Sequence, residues 1–336
     1  MKRAFRGLKK FGLETVAERG GRIFPASNKS SDVVETLLKW LRKNKVIIAL
    51  GSGVHNLIIR DGRAMGVEAE MNGIDQSVFA NRIIICTGGK SYPATGSTGD
   101  GYRFARAAGH KVTPLMPSLV PVETAGNIAE KLEGLALKNV KAVIWVNGKK
   151  GMEGFGEMTF TNTGLSGPII LTLSRFIADE LRKKNSTEVS VDLKPALNEQ
   201  KLDARLIRDL NSNGKLQLEK IFRLWLPMTM IPVFFELLGL DPYKAGHQVT
   251  AKERHKIMVL MKDMRFGVTG LRSFKEAIVT AGGVDTDEIN PKTMESKLVK
   301  NLYFAGEVLD LDADTGGYNL QIAWSTGWLA GDVGRT

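Results

Sequence analysis

Apolar and polar positions change period along the chain and divide it into segments. Residues 32–43 (DVVETLLKWLRK) put Val33, Val34, Leu37, Leu38 and Leu41 on one helical face, with Ser31 or Asp32 as the cap. The aliphatic run Val46–Leu50 then predicts a strand. Gly51, Gly53 and the turn at Asp61-Gly62 separate further short strands, the last ending at Arg82–Cys86. From Thr113 the texture becomes extended, punctuated by Pro114, Pro117 and Pro121. Strand-like runs follow at Val140–Val146 and Glu188–Leu193, with a turn signal at Asn147-Gly148. Residues 198–262 turn helical, with Leu202, Leu206, Leu210, Ile221 and Leu224 at helical spacing. Phe266–Thr269 and Glu276–Thr280 return to short strands. The order α/β, β, α, β, α/β predicts an insertion inside a discontinuous nucleotide-binding domain.

Two segments carry the candidate chemistry. In Leu302–Gly331 a buried strand (residues 302–305) stops at Gly306-Glu307. An acidic loop and the pair Gly316-Gly317 follow, and a helix opens from about Asn319. Glycines let backbone approach a ligand, an acid accepts hydrogen bonds from sugar-like hydroxyls, and a helix start offers free N–H groups. Packing alone accounts for this spacing equally well. In Arg82–Gly109 a four-residue apolar strand ends at Thr87-Gly88-Gly89, the strand end at which open α/β sheets bind ligands. A helix then opens at Gly99-Asp100-Gly101, with Ser97, Thr98 or Asp100 as its cap and Gly109 as its stop.

Other motifs fail on inspection. Gly89-Lys90-Ser91 is not a P-loop, because Ile84 stands where the first glycine belongs and Pro93 interrupts the helix that should follow. Asp310-Leu311-Asp312-Ala313-Asp314 opens like a calcium loop, but Thr315 and Gln321 occupy its sixth and twelfth positions. His55, His110, His247 and His255 are scattered, with no i,i+4 pair, and read as surface or capping histidines; no metal site is expected. Residues 160–168 (FTNTGLSGP) read either as a functional loop or as a turn capping the following helix.

Composition narrows the class. At 336 residues, 43% hydrophobic and 25% charged, the chain has the balance of a soluble globular protein of two domains, or of one domain with an insertion. The single cysteine, Cys86, excludes an internal disulfide framework and, within its apolar run, reads as a buried inert thiol. Residues 224–240 form the longest apolar stretch, but Pro227, Pro232 and Glu236 break it, so a buried helical hairpin is expected rather than a membrane span. The start has no signal-peptide pattern, and a cytoplasmic location is expected. Residues 1–60 hold 13 Lys/Arg against 4 Asp/Glu, which supplies most of the +11 net charge. Without an arginine-rich tract or interleaved aromatics this reads as a solvated surface, and nucleic acid is not the expected partner.

Taken together, the motifs resemble the bacterial BaiN-like, aminoacetone-oxidase-like family of FAD-dependent oxidoreductases. The matching segments are 21–25, 86–101, 157–168, 282–297 and 302–331, in the family's order. The resemblance implies an α/β fold with an α+β insertion: an FAD-binding Rossmann-like domain, here incomplete, interrupted by a β-barrel-like domain and a small helical domain. It assigns residues 1–112 and 284–336 to the FAD domain, 113–197 and 263–283 to the barrel-like unit, and 198–262 to the helical subdomain. By the same resemblance Val54 meets the adenine, and Thr87, Gly88 and Gly89 contact the dinucleotide. Gly306 and Glu307 lie near the ribityl chain, and Gly317, Asn319 and Leu320 lie beside the flavin ring. FAD is the implied cofactor, NAD(P)H a candidate reductant, and a small organic molecule the substrate; no catalytic acid or base is assigned. The family's opening strand, glycine-rich turn and helix are not found, and Met1 aligns roughly a hundred residues into the pattern, short of any G-x-G-x-x-G. The chain is therefore also readable as a truncated, non-catalytic apo fragment or a partner-dependent module. A third reading, from the basic first sixty residues, is an RNA-associated flavoprotein.

Overall fold

Two structural units are present in the computed structural model, which describes residues 12–18 and 22–332. The first unit comprises Met1–Met116 and Val279–Thr336, and the second is Pro117–Ile278. Gly21 and the basic residues 1–11 lie outside the described residues.

In the first unit a short antiparallel pair, Thr15–Ala17 with Ile23–Pro25, precedes the helix Ser30–Lys43. This helix starts two residues earlier than the predicted segment 32–43, and neither Ser31 nor Asp32 caps it. Lys29 occupies the cap position without a side-chain bond, while the Asp32 carboxylate takes the Ser27 hydroxyl at 2.5 Å. The predicted strand Val46–Leu50 does not form. Its residues are exposed, Ile47 to 92%, because no neighbouring strand among the described residues offers it a ladder. Three strands follow as an antiparallel meander, Gly53–Arg60, Arg63–Met71 and Ile74–Phe79. Its two-residue turns, Asp61-Gly62 and Asn72-Gly73, have positive φ at both residues, the geometry that suits the twist of a hairpin.

The nucleotide-type element of this unit is the parallel pair Ile83–Ile85 and Leu302–Phe304, registered residue for residue. Parallel strands bury best between two covered faces. Ile85 on one face is buried, whereas Ile84 and Cys86 on the other are exposed. Cys86 is thus not the buried thiol its apolar run predicts; it points to the uncovered face. The helix Asp100–Ala107 sends Tyr102, Phe104 and Ala105 into a core with Phe304, Val308 and Leu309. Gly99, in the left-handed region, precedes this helix, and the Thr98 hydroxyl bonds to Asp100 at 2.7 Å instead of capping a backbone N–H. The helix Tyr318–Gly331 ends the described chain.

The second unit is built on six strands closed into a barrel. Its order is Lys149–Thr161, Gly164–Ser166, Val122–Thr124, Met264–Leu271, Thr187–Asp192 and Ala136–Val146, every pairing antiparallel. Closure removes the sheet edges that an open sheet would expose. Residues 160–168 form a turn that leads into a helix: Thr161 pairs with Gly164 across a tight turn, and Gly167 precedes the helix Pro168–Arg182, with proline where a missing N–H is harmless. The helices Glu199–Ser212, Leu218–Phe222, Met230–Leu238 and Ala251–Lys262 share the barrel's core through Phe222, Phe234 and Phe235. The apolar stretch 224–240 therefore yields a turn and one buried helix. No described helix is long and apolar enough to cross a membrane.

Candidate functional site

The site is assembled at the C-terminal ends of the two parallel strands. The ladder continues one step past them, Ala305 N–H donating to the Ile85 carbonyl at 3.0 Å, and both chains then leave the sheet through glycines. Thr87-Gly88-Gly89 and Gly306-Glu307 are thereby brought side by side. Gly89 is the point of closest approach: a Cβ there would lie 2.4 Å from Thr280 Oγ1 and 2.5 Å from Glu307 Oε1, so no larger residue fits. Gly88 and Gly306 take φ of +72° and +80°, which lets each turn leave its strand abruptly.

Hydrogen bonds fix these turns from behind. Thr280 Oγ1 accepts from the backbone N–H groups of Lys90 (2.8 Å) and Ser91 (3.1 Å). The Thr280 N–H in turn donates to Glu307 Oε1 at 2.7 Å. Burial pushes the Glu307 carboxyl above its ordinary value; the hydrogen bonds from Thr280 oppose this, and the charge of Asp312 adds to it. Buried Tyr102 donates its hydroxyl to the Glu307 carbonyl at 3.3 Å. Burial, and next the Glu307 charge, hold that phenol well above its usual range, with a hydrogen bond to Thr280 opposing them, so it stays protonated. The Thr326 hydroxyl of the last helix accepts from Gly306 N–H at 2.9 Å.

The remaining expected residues lie on other elements. Val54 is half-buried on the meander strand Gly53–Arg60. Gly317 precedes the last helix at φ +90°, with no side-chain cap, leaving N–H groups of its first turn open. Both ends of the Asn319 amide are engaged by Ala313, at 2.9 Å to its N–H and 2.7 Å to its carbonyl, so this side chain closes the acidic loop onto the helix. Leu320 is 67% exposed and presents an apolar surface beside that helix start.

Thr280, Thr326 and Tyr102 are structural supports of these turns that sequence reasoning missed. Thr280 lies within a predicted strand, and its only signal is the Gly282-Gly283 pair just beyond it. His110 also departs from expectation. It is neither surface nor cap but buried, with Nδ1 at 2.9 Å from Glu288 and Nε2 at 2.7 Å from the Ser296 hydroxyl. Burial lowers its pKa, with Glu288 pulling the other way.

A polyhydroxylated dinucleotide fits this wall on two counts. Thr87 Oγ1 and Gln321 Oε1 are buried atoms without a hydrogen-bond partner among the described residues, one at the strand end and one in the first turn of the last helix. The glycine turns leave backbone accessible where side chains would otherwise stand.

Comparison with known proteins agrees with the geometry. Residues 3–333 match the family model described as HI0933-like protein Rossmann domain. The chain belongs to the HI0933-like family. This is a family of flavoprotein oxidoreductases. Among its relatives, the 3-dehydro-bile acid delta(4,6)-reductase of Clostridium scindens is 32% identical over 313 residues, covering 93% of this chain and 75% of that protein. The ribosomal RNA dihydrouridine synthase of Escherichia coli is 31% identical over 320 residues, covering 95% and 75%. Among solved structures, a quinol-fumarate reductase with menaquinol molecules aligns with a TM-score of 0.45 at 17% identity, over 98% of this chain and 55% of that one. This HI0933-like chain thus spans about three-quarters of the curated relatives and about half of that solved structure.

Proposed function

We propose that the chain is an FAD-dependent oxidoreductase that moves a hydride or electron pair between a donor and a small organic acceptor. The observation that carries this reading is the contact of Gly89 with Glu307 across the ends of two parallel strands. Bound FAD would supply the redox chemistry, since a flavin both accepts and releases a hydride. The chain's own residues supply binding and electrostatics. Thr87, Gly88 and Gly89 offer backbone and one hydroxyl to the dinucleotide, and Val54 offers backbone to its adenine. Glu307 keeps one oxygen on Thr280 and has the other for a ribityl hydroxyl. The open N–H groups after Gly317 favour negative charge on a reduced ring, and Leu320 gives that ring an apolar neighbour. Asn319 acts as a positioning residue that sets the loop before the helix.

The name of the Clostridium scindens relative supports reduction of a carbon–carbon double bond conjugated to a ketone as the reaction class; NAD(P)H is the reductant we propose for it. The test is a titration of the purified 336-residue chain with FAD, followed by the flavin visible band and by quenching of flavin fluorescence. Saturable binding that Gly89→Val abolishes while far-UV circular dichroism is unchanged is the expected result. A folded chain that leaves added FAD fully fluorescent overturns the reading. The uncovered face at Ile84 and Cys86 favours a second reading, in which the flavin is held only together with a partner polypeptide. In that case flavin binding appears only after the partner is added.

A further inference from the structure

The antiparallel meander brings together three side chains that the flavin reading does not use. Glu70 and Asp75 face each other directly across the second and third strands, and Gly53 stands opposite Glu70 on the first. Two like charges placed directly across a sheet repel, and this pair sits one step from a turn with nothing between them. On the first strand the register slips between Val54 and Asn56, making His55 an extra, bulged residue. A bulge re-aims its side chain. Here the imidazole is turned back along the strand, so that its Cε1 lies 4.0 Å from where a Cβ on Gly53 would be. Arg103, on the helix Asp100–Ala107, donates to the His55 carbonyl and anchors the bulge.

We propose that His55, Glu70 and Asp75 form a binding site for a divalent transition-metal ion of the zinc class. The three donor atoms lie within 4.8 Å of one another, and His55 Nε2 is already 3.5 Å from Asp75 Oδ1. Tetrahedral zinc, with bonds of about 2.0–2.2 Å to nitrogen and oxygen, needs donors about 3.3–3.6 Å apart. The histidine–aspartate spacing meets that requirement. Glu70, whose carboxylate makes no hydrogen bond or ion pair among the described residues, closes the remainder by rotation of its exposed side chain. One imidazole with two carboxylates selects zinc-like ions over calcium or magnesium, which prefer all-oxygen sets. Three protein ligands leave a fourth position to water.

The experiment is a competition titration of Zn2+ between the purified 336-residue chain and a chromophoric chelator at about pH 7.5, since metal affinity depends on pH. The expected result is one saturable Zn2+ site of micromolar affinity. His55→Ala, His55→Gln and Asp75→Asn should each weaken it by roughly tenfold or more. The double variant His247→Ala/His255→Ala, which removes the exposed histidines of the other unit, should leave it unchanged. Thermal melting shows that each variant is folded, as expected for substitutions at exposed positions. No saturable binding below millimolar Zn2+ overturns the proposal. So does binding that persists in the His55 variants or is lost in the double control.

Discussion

Replacing Thr280 by valine tests whether a hydroxyl behind the sheet sets the glycine turn in front of it. Valine keeps the shape of threonine and removes only the oxygen. Thr280 is 1% exposed, and its Oγ1 accepts from two backbone N–H groups, those of Lys90 and Ser91. Ser91 is itself buried, so its N–H would lose its partner without access to water; a buried donor left unpaired costs about 1–3 kcal/mol. Lys90 is exposed and its N–H can rehydrate, so its loss is only the net worth of one hydrogen bond, about 0.5–1.5 kcal/mol. Together these give about 1.5–4.5 kcal/mol of local destabilisation. At about 1.4 kcal/mol per decade this becomes roughly a 10- to 1,600-fold loss of amide protection in the turn. Hydrogen exchange read by mass spectrometry on a peptide spanning residues 86–102 measures it directly, whether or not the two units unfold together. Thr280→Ser keeps the oxygen and should remain near the wild type. Equal protection in wild type and Thr280→Val, or equal loss in the serine and valine variants, would refute the argument.

Three further outcomes are expected. His110 is buried with its pKa lowered, so the unfolded chain binds the proton more readily; its contribution is complete above the unfolded value of about 6.5 and is lost as pH falls toward the folded value. Urea unfolding between pH 7.5 and 5.5 should therefore show a decline with falling pH that is shallower in His110→Gln by up to one proton's worth, about 1.4 kcal/mol per pH unit. In the second unit, Lys262 Nζ donates to Asp192 (2.6 Å) and to the carbonyls of Leu197 (2.7 Å) and Lys194 (3.2 Å). Lys262→Met should cost about 2–4 kcal/mol, seen as a lower urea midpoint by Trp225 fluorescence. Thr250 and Glu253 form a reciprocal cap on the helix Ala251–Lys262, and Thr250→Ala should cost about 1 kcal/mol in the same assay.

Short-range features were legible in the sequence where one local pattern sufficed. Ile83–Ile85 and Leu302–Phe304 are apolar runs followed closely by glycine, and both form. The helices at 100–107 and 318–331 follow their glycines. Val46–Leu50 has an equally good aliphatic pattern and stays exposed, because a strand exists only where another strand pairs with it. The same non-local requirement exposes Cys86. Helix caps failed for a different reason: Asp32 and Thr98 are good cap types, but each has a nearer partner, Ser27 and Asp100. At the site, Thr280 meets Lys90 across 190 positions, and His55, Glu70 and Asp75 come from three strands, one of them through a bulge. No spacing rule spans such distances.

The supports behind the site share one chemical device. Gly88-Gly89, Gly306 and Gly282-Gly283 each leave a regular element with backbone that would otherwise be free to move, since glycine restricts the chain least. In each case a threonine from a remote part of the chain takes up an N–H in or beside the turn. Thr280 accepts from Lys90 and Ser91, Thr326 from Gly306, and Thr113 from Gly283 at 2.9 Å. Each threonine is fixed in turn. Thr326 donates to the Ile322 carbonyl at 2.8 Å within its helix, Thr113 donates to Asp310 at 2.8 Å, and Thr280 gives its own N–H to Glu307. Glycine thus opens backbone to a ligand while a distant hydroxyl holds the turn in one conformation. A turn already ordered before binding does not lose that entropy when the ligand arrives. The acid at Glu307 is then aimed by three elements at once: its own strand, the last helix through Gly306, and the segment carrying Thr280.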